Sequence, residues 1–188
     1  MRKELKPAAV VFPMPVLMIA TYNEDGSVDV MNAAWGINYE NDQVLLNISE
    51  GHRTTANIHR TKAFTVALAD QAHMAEADYF GLVSANRDGQ KFARSGLHAV
   101  KSEKVNAPVI REFPVTMECE WREEEKAGYG VVGKVVGLSV DEAVLDEQGH
   151  IDPAKLNALV FDTFTNSYYT IGSRAGKAFA AGLKIKEQ

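Results

Sequence analysis

The stretch SEGHRTTANI, from Ser49 to Ile58, gathers the groups best suited to holding an anion. His52 and Arg53 are potential cations, Thr54 and Thr55 carry hydroxyl donors, and Asn57 carries an amide. They stand where a loop runs into a helix. The first turn of a helix has N–H groups without intrahelical partners and lies at the positive end of the helix dipole, so such a junction can hold a phosphate. Arg53 would add charge-assisted hydrogen bonds. An ordinary helix start with a solvated arginine explains the same residues equally well. The chain has no Walker sequence and no G-x-G-x-x-G after a strand, so neither a nucleoside-triphosphate loop nor a Rossmann site is supported.

A second unusual stretch is DVMNAAWGIN, Asp29 to Asn38, within a region that reads as strand. Small residues around Trp35 forfeit packing area, and glycine weakens a strand interior. Either something flat lies against the backbone here, or Trp35 is a core residue with room made for it. Composition alone favours packing. In a regular strand Met31, Ala33, Trp35 and Ile37 share one face and Val28, Val30, Asn32 and Ala34 the other. Asn32 and Trp35 then meet one ligand only if the strand bulges or ends between them.

Other chemistry is sparse. His52, His59, His73, His98 and His150 show no close metal-ligand spacing, so no metal site is expected. The single cysteine, Cys119, lies mid-strand between Glu118 and Glu120; it reads as a small buried side chain, and neighbouring carboxylates would raise its pKa. Lys91 could reach a phosphate, although exposure to solvent is its simpler reading. The acidic run Glu123–Glu125 reads as a solvated hairpin end. No G-x-S-x-G elbow is present.

The elements that must position these groups follow from pattern. Residues 16–49 read as three successive strands, with turns at Asp25-Gly26 and Asn41-Asp42. Residues 63–69 form a buried-type strand. A helix begins at Asp70 as N-cap, and a short one ends at Gly96. Residues 113–140 form a hairpin turning near Ala127-Gly128, with Gly130, Gly133 and Gly137 marking bends or bulges. Pro153 opens another short helix. With 188 residues, 46% hydrophobic and 24% charged, the chain fits one domain, residues 1–188, mainly β, as a β-barrel with inserted helices.

The net charge of −5, without a basic run, argues against nucleic acid. The N-terminal apolar run is broken by Pro13 and Pro15 and lacks an A-x-A cleavage site, so a signal peptide is not expected. No apolar segment is long enough for a membrane helix. A single cysteine fits a reducing cytoplasm, the expected location.

Several stretches in order resemble one family: FPMPVLMIAT, MNAAWG, HRTTANI, AFTVALA, QKFARSGL, APVIREFPVTMECEW, GYGVVGKVVGLSVDE and YYTIG. Together, from Pro13 to Gly172, the chain resembles the flavin reductase-like FMN-binding split-barrel family, near its flavoredoxin branch. The resemblance implies a six-stranded Greek-key split barrel, a homodimer, and one FMN per subunit near the dimer interface. It implies that Met31, Asn32, Ala33, Ala34 and Trp35 lie along the isoalloxazine, and that Ser49, His52, Arg53, Thr54 and Asn57 hold ribityl and phosphate. Lys91 and Phe92 match the family's KF position near the cofactor, and Tyr169 belongs to the C-terminal YY element. His98 stands where relatives have threonine, and His52 lies where they have Ser or Asp nearby. FMN would carry hydride or electrons, so no catalytic acid or base is named. His52 is expected to strengthen phosphate binding at low pH. Three readings stand: an NAD(P)H-dependent flavin reductase-like oxidoreductase, an electron carrier serving a redox protein partner, or a barrel holding another cofactor such as haem, with His52, His73 or His98 as ligand.

Overall fold

The structure, a computed structural model, describes residues 1–122 and 130–186. The turn expected near Ala127-Gly128 and the run Glu123–Glu125 lie outside the described residues. The strands in chain order are β1 (Met14–Pro15), β2 (Leu17–Tyr22), β3 (Val28–Ala33), β4 (Gly36–Glu40), β5 (Gln43–Leu46) and β6 (Ala63–Leu68). They continue with β7 (Ala99–Lys101), β8 (Pro108–Ile110), β9 (Val115–Trp121), β10 (Val131–Val140), β11 (Leu159–Asp162) and β12 (Ser167–Thr170). Helices α1 (Arg53–Thr61), α2 (Met74–Leu82), α3 (Lys91–Ser95) and α4 (Pro153–Leu156) are inserted between them. The fold is mainly β. Among the described residues no helix is long and apolar enough to cross a membrane.

The main sheet runs β3-β2-β6-β9-β10-β5-β4, and its paired strands are antiparallel. Its two edge strands, β3 and β4, are separated in sequence only by Ala34 and Trp35. The chain therefore steps from one edge of the sheet to the other, which curls the sheet into a split barrel. Residues 16–49 thus form four strands rather than three, because the stretch around Trp35 is broken. Counted as one bent strand, β3–β4 gives the six strands of the barrel. The break is a tight turn: the Gly36 N–H donates to the Ala34 carbonyl at 3.1 Å, and the Asn47 N–H to the Trp35 carbonyl at 2.8 Å. Gly36 is required at the restart. A Cβ there would stand 2.4 Å from Leu17 Cδ1 and 3.0 Å from Leu46 Cδ2.

Side-chain alternation gives the sheet two buried faces. Leu17, Ile19, Met31, Leu46, Phe64, Val66 and Cys119 form the inner core, joined by Ile58 of α1. Met18, Ala20, Val30 and Ala67 pack outward against Ala77 and Phe80 of α2 and against Leu159 of β11. A bulge between Val135 and Gly137 bends β10, in the glycine-rich strand where bends were expected. Gly96, at φ +75°, stops α3. The N-cap expectation at Asp70 is corrected: α2 starts at Met74, and the Asp70 carboxylate accepts from the His73 N–H at 3.0 Å, capping the turn before the helix.

Candidate functional site

The broken strand opens one wall of a cleft. Its wide chamber, about 390 Å³, is lined by Val16, Met31 to Trp35, Asn47, Ile48, Ser49, His52, Gly81, Phe161 and Tyr168. Because β3 is an edge strand, half of its backbone N–H and C=O groups have no ladder partner. Trp35 is 54% exposed, so it is not the core residue that composition favoured; the tight turn aims it outward at the cleft rim. Since β3 ends at Ala33, Asn32 and Trp35 do line the same chamber. The Asn32 amide donates to the Ala77 carbonyl at 2.8 Å, tying β3 to α2. The Tyr168 hydroxyl donates to Asp78 at 2.9 Å. Burial, and then the Asp78 carboxylate, push the Tyr168 phenol up to about 12, so it stays protonated at neutral pH.

At Met31, Asn32, His52 and Gly81 the cleft narrows into a second chamber of about 160 Å³. Here Asp29, His52, Arg53, Thr54 and Lys91 converge. The N-cap residue His52 makes no side-chain capping bond to α1, so the first-turn N–H groups are available to an anion. Arg53 Nε donates to Asn86 Oδ1 at 3.2 Å, and the Asn86 amide donates to the Gly51 carbonyl at 2.9 Å. Lys91 is 4% exposed, which corrects the reading of a solvated lysine. Burial lowers its pKa, and Asp29 opposes that shift. Asp29 is 2% exposed; its Oδ2 accepts from Thr54 Oγ1 at 2.6 Å, while its Oδ1 has no hydrogen-bond partner among the described residues. Burial raises the Asp29 pKa, against the Thr54 hydrogen bond and the charges of Lys91, Arg53 and His52.

The cleft therefore brings together Met31, Asn32, Ala33, Ala34, Trp35, Ser49, His52, Arg53, Thr54 and Lys91. Three expected site residues lie elsewhere. The Asn57 amide is buried and donates to Thr21 Oγ1 at 3.1 Å and Asn23 Oδ1 at 2.9 Å, so it holds α1 on β2. Phe92 stacks on Phe80 in the outer core, at 6.4 Å between centroids. Tyr169 faces away from the cleft, because neighbours in a strand point to opposite sides; Tyr168 takes the cleft side. In sequence that alternation says only that one of the pair can face the cleft, not which. Asp29, Gly81 and Phe161 carry no such signal, since only the packing of α2 and β11 brings them together.

The remaining candidates are structural. The His73 ring bonds Asp70 at 2.8 Å and the His98 ring bonds Glu112 at 2.7 Å; neither lines the cleft. No cluster of His, Cys, Asp or Glu among the described residues could hold a metal. Cys119 is buried, and burial, then Glu118, push its thiol up to about 12.

Comparison with known proteins fits this geometry. Residues 9–166 match the family model described as the flavin reductase like domain. The flavoredoxin of Desulfovibrio vulgaris (Miyazaki F) is 29% identical over 97% of this chain and 100% of its own, with a TM-score of 0.91. A flavoredoxin from Methanosarcina acetivorans is 24% identical over 98% and 99%, with a TM-score of 0.86. An FMN-binding protein from Thermus thermophilus shares the fold at 17% identity over 94% and 99%, with a TM-score of 0.75.

Proposed function

We propose that this chain, which belongs to the flavin reductase-like domain family near its flavoredoxin branch, holds FMN in the cleft and works as an oxidoreductase. One observation carries the reading. A chamber of about 390 Å³, lined by the edge of β3 and by aromatic side chains, narrows into a smaller one where Arg53 and Lys91 meet an uncapped helix start, as a ring system bearing a terminal phosphate needs. Bound FMN would supply the hydride and electron transfer. The protein supplies the rest. The free edge of β3 offers backbone donors and acceptors to a heterocycle, while Ala33 and Ala34 let it approach. Trp35, Phe161 and Tyr168 supply aromatic surface and exclude water. Arg53, Lys91 and the first-turn N–H groups of α1, that of Thr54 among them, hold the phosphate.

The electron source in this reading is NAD(P)H, with a redox protein as the other donor or acceptor class. We also infer a homodimer. An apolar groove of about 330 Å³, lined by Val11, Pro13, Met14, Trp35, Ile37 and Leu45, adjoins the cleft at Trp35 and suits a second copy. The test is an absorption spectrum of the purified protein, repeated after adding FMN and then NADH or NADPH anaerobically. Flavin bands that bleach with the nucleotide support a reductase. Bands that bleach only with a chemical reductant support an electron carrier. No flavin binding at all refutes the proposal.

A further inference from the structure

Asp29 is out of place in a chamber that suits an anion. Its side chain is almost wholly buried, with Oδ2 held by Thr54 and Oδ1 unpartnered among the described residues, and it lines the same narrow space as His52, Arg53 and Lys91. A carboxylate there would repel a phosphate. A neutral carboxyl would instead offer an O–H, the donor that a phosphate oxygen accepts. We propose that Asp29 is the proton-accepting member of the phosphate subsite: as a phosphate monoester dianion enters, Asp29 takes one proton from solvent and turns Oδ1 from acceptor to donor. The inference rests on the reading that the cleft holds FMN.

The surroundings favour this exchange. The charged groups facing Asp29 are Arg53 and His52 at the start of α1 and Lys91 from α3. The end of α2 and the residues after it, Phe80 to Ala85, add no ionisable group to the chamber. An arriving dianion is a like charge to the carboxylate, and like charges raise an acid's pKa. Burial already pushes Asp29 in that direction. Thr54 keeps Oδ2 as the acceptor, so the proton belongs on Oδ1.

The test is calorimetric titration of the apoprotein with FMN at pH 8, in buffers of different ionisation enthalpy. The phosphate is then already a dianion, its second pKa being about 6. Wild type is expected to take up close to one proton with FMN and none with riboflavin, and its FMN affinity to fall up to about tenfold per pH unit. Asp29→Asn keeps an acceptor for Thr54 and is expected to bind FMN with little uptake. That loss distinguishes Asp29 from its neighbours. Without the carboxylate, Lys91 holds its proton less tightly before binding, so uptake there would grow. Uptake unchanged or increased in Asp29→Asn, or absent in wild type, overturns the proposal. Wild-type infrared difference spectra need no variant: a carboxylic acid C=O band must appear with FMN and not with riboflavin, and its absence also overturns it. Riboflavin binding without FMN binding refutes the phosphate subsite and leaves the flavin reading standing. Binding of neither flavin refutes that reading and the proposal with it.

Discussion

Arg53→Ala tests the phosphate end of the cleft most directly. Arg53 is the first residue of α1, and Asn86 anchors its Nε at 3.2 Å, which leaves the two terminal amino groups of the fork for a ligand. A hydrogen bond to a charged group contributes about 1.5–3 kcal/mol. Arg53 is exposed, so screening places it at the lower end, about 1.5–2 kcal/mol. That range corresponds to a loss of FMN affinity of about 13- to 30-fold. Riboflavin lacks the phosphate, and its affinity should not change. Asn86→Ala leaves the guanidinium in place but removes its tether to the loop at Gly51. Ordering one long side chain costs about 0.5–1.5 kcal/mol, so this variant should lose about 2- to 13-fold. The assay is fluorescence titration of apoprotein with each flavin, at low and high salt. Added salt should shrink the Arg53 effect. Unchanged FMN affinity in Arg53→Ala, or an equal loss for riboflavin, would refute the placement of the phosphate.

Three further outcomes concern the scaffold. Thr54→Val removes the only hydrogen bond that the described residues make to the buried Asp29 carboxylate. It should cost about 1.5–3 kcal/mol at neutral pH. The native Asp29 pKa is raised, so its contribution to stability is present below the unfolded pKa of about 4 and lost as pH rises through the native value. The variant raises that pKa further, so the gap from wild type should widen from acid toward neutral pH; equal costs in urea unfolding at both would contradict the argument. Gly133→Ala would set a Cβ 2.4 Å from Cζ of the fully buried Phe64 and 3.2 Å from Cys119 Cβ. Overpacking of this kind costs about 1–3 kcal/mol, read as a lower urea midpoint; an unchanged midpoint would show that Phe64 can yield. Cys119, with its thiol pushed up to about 12, should resist alkylation at pH 8 until the protein unfolds, and rapid native labelling would place it on an accessible surface.

By itself the sequence determined the local punctuation of this protein and, through the order of its motifs, its family. Turns at Asp25-Gly26 and Asn41-Asp42, the stop of α3 at Gly96 and the start of α4 at Pro153 follow from the dihedral preferences of single residues. The alternation in β2 and β3 separates inner from outer faces, because each strand side chain points opposite to its neighbour. Only the tertiary structure decided where the strand breaks at Trp35, that Lys91 is buried, and that Tyr168 rather than Tyr169 faces the cleft. It alone set Asp29 beside Arg53 and Lys91. These are outcomes of long-range pairing. Residues 29, 53, 81, 91, 161 and 168 line one cleft because α1, α2, α3 and the β11–β12 pair all pack beside β3. Local pattern tells a side chain which face of its own element it occupies, but not what that face will meet.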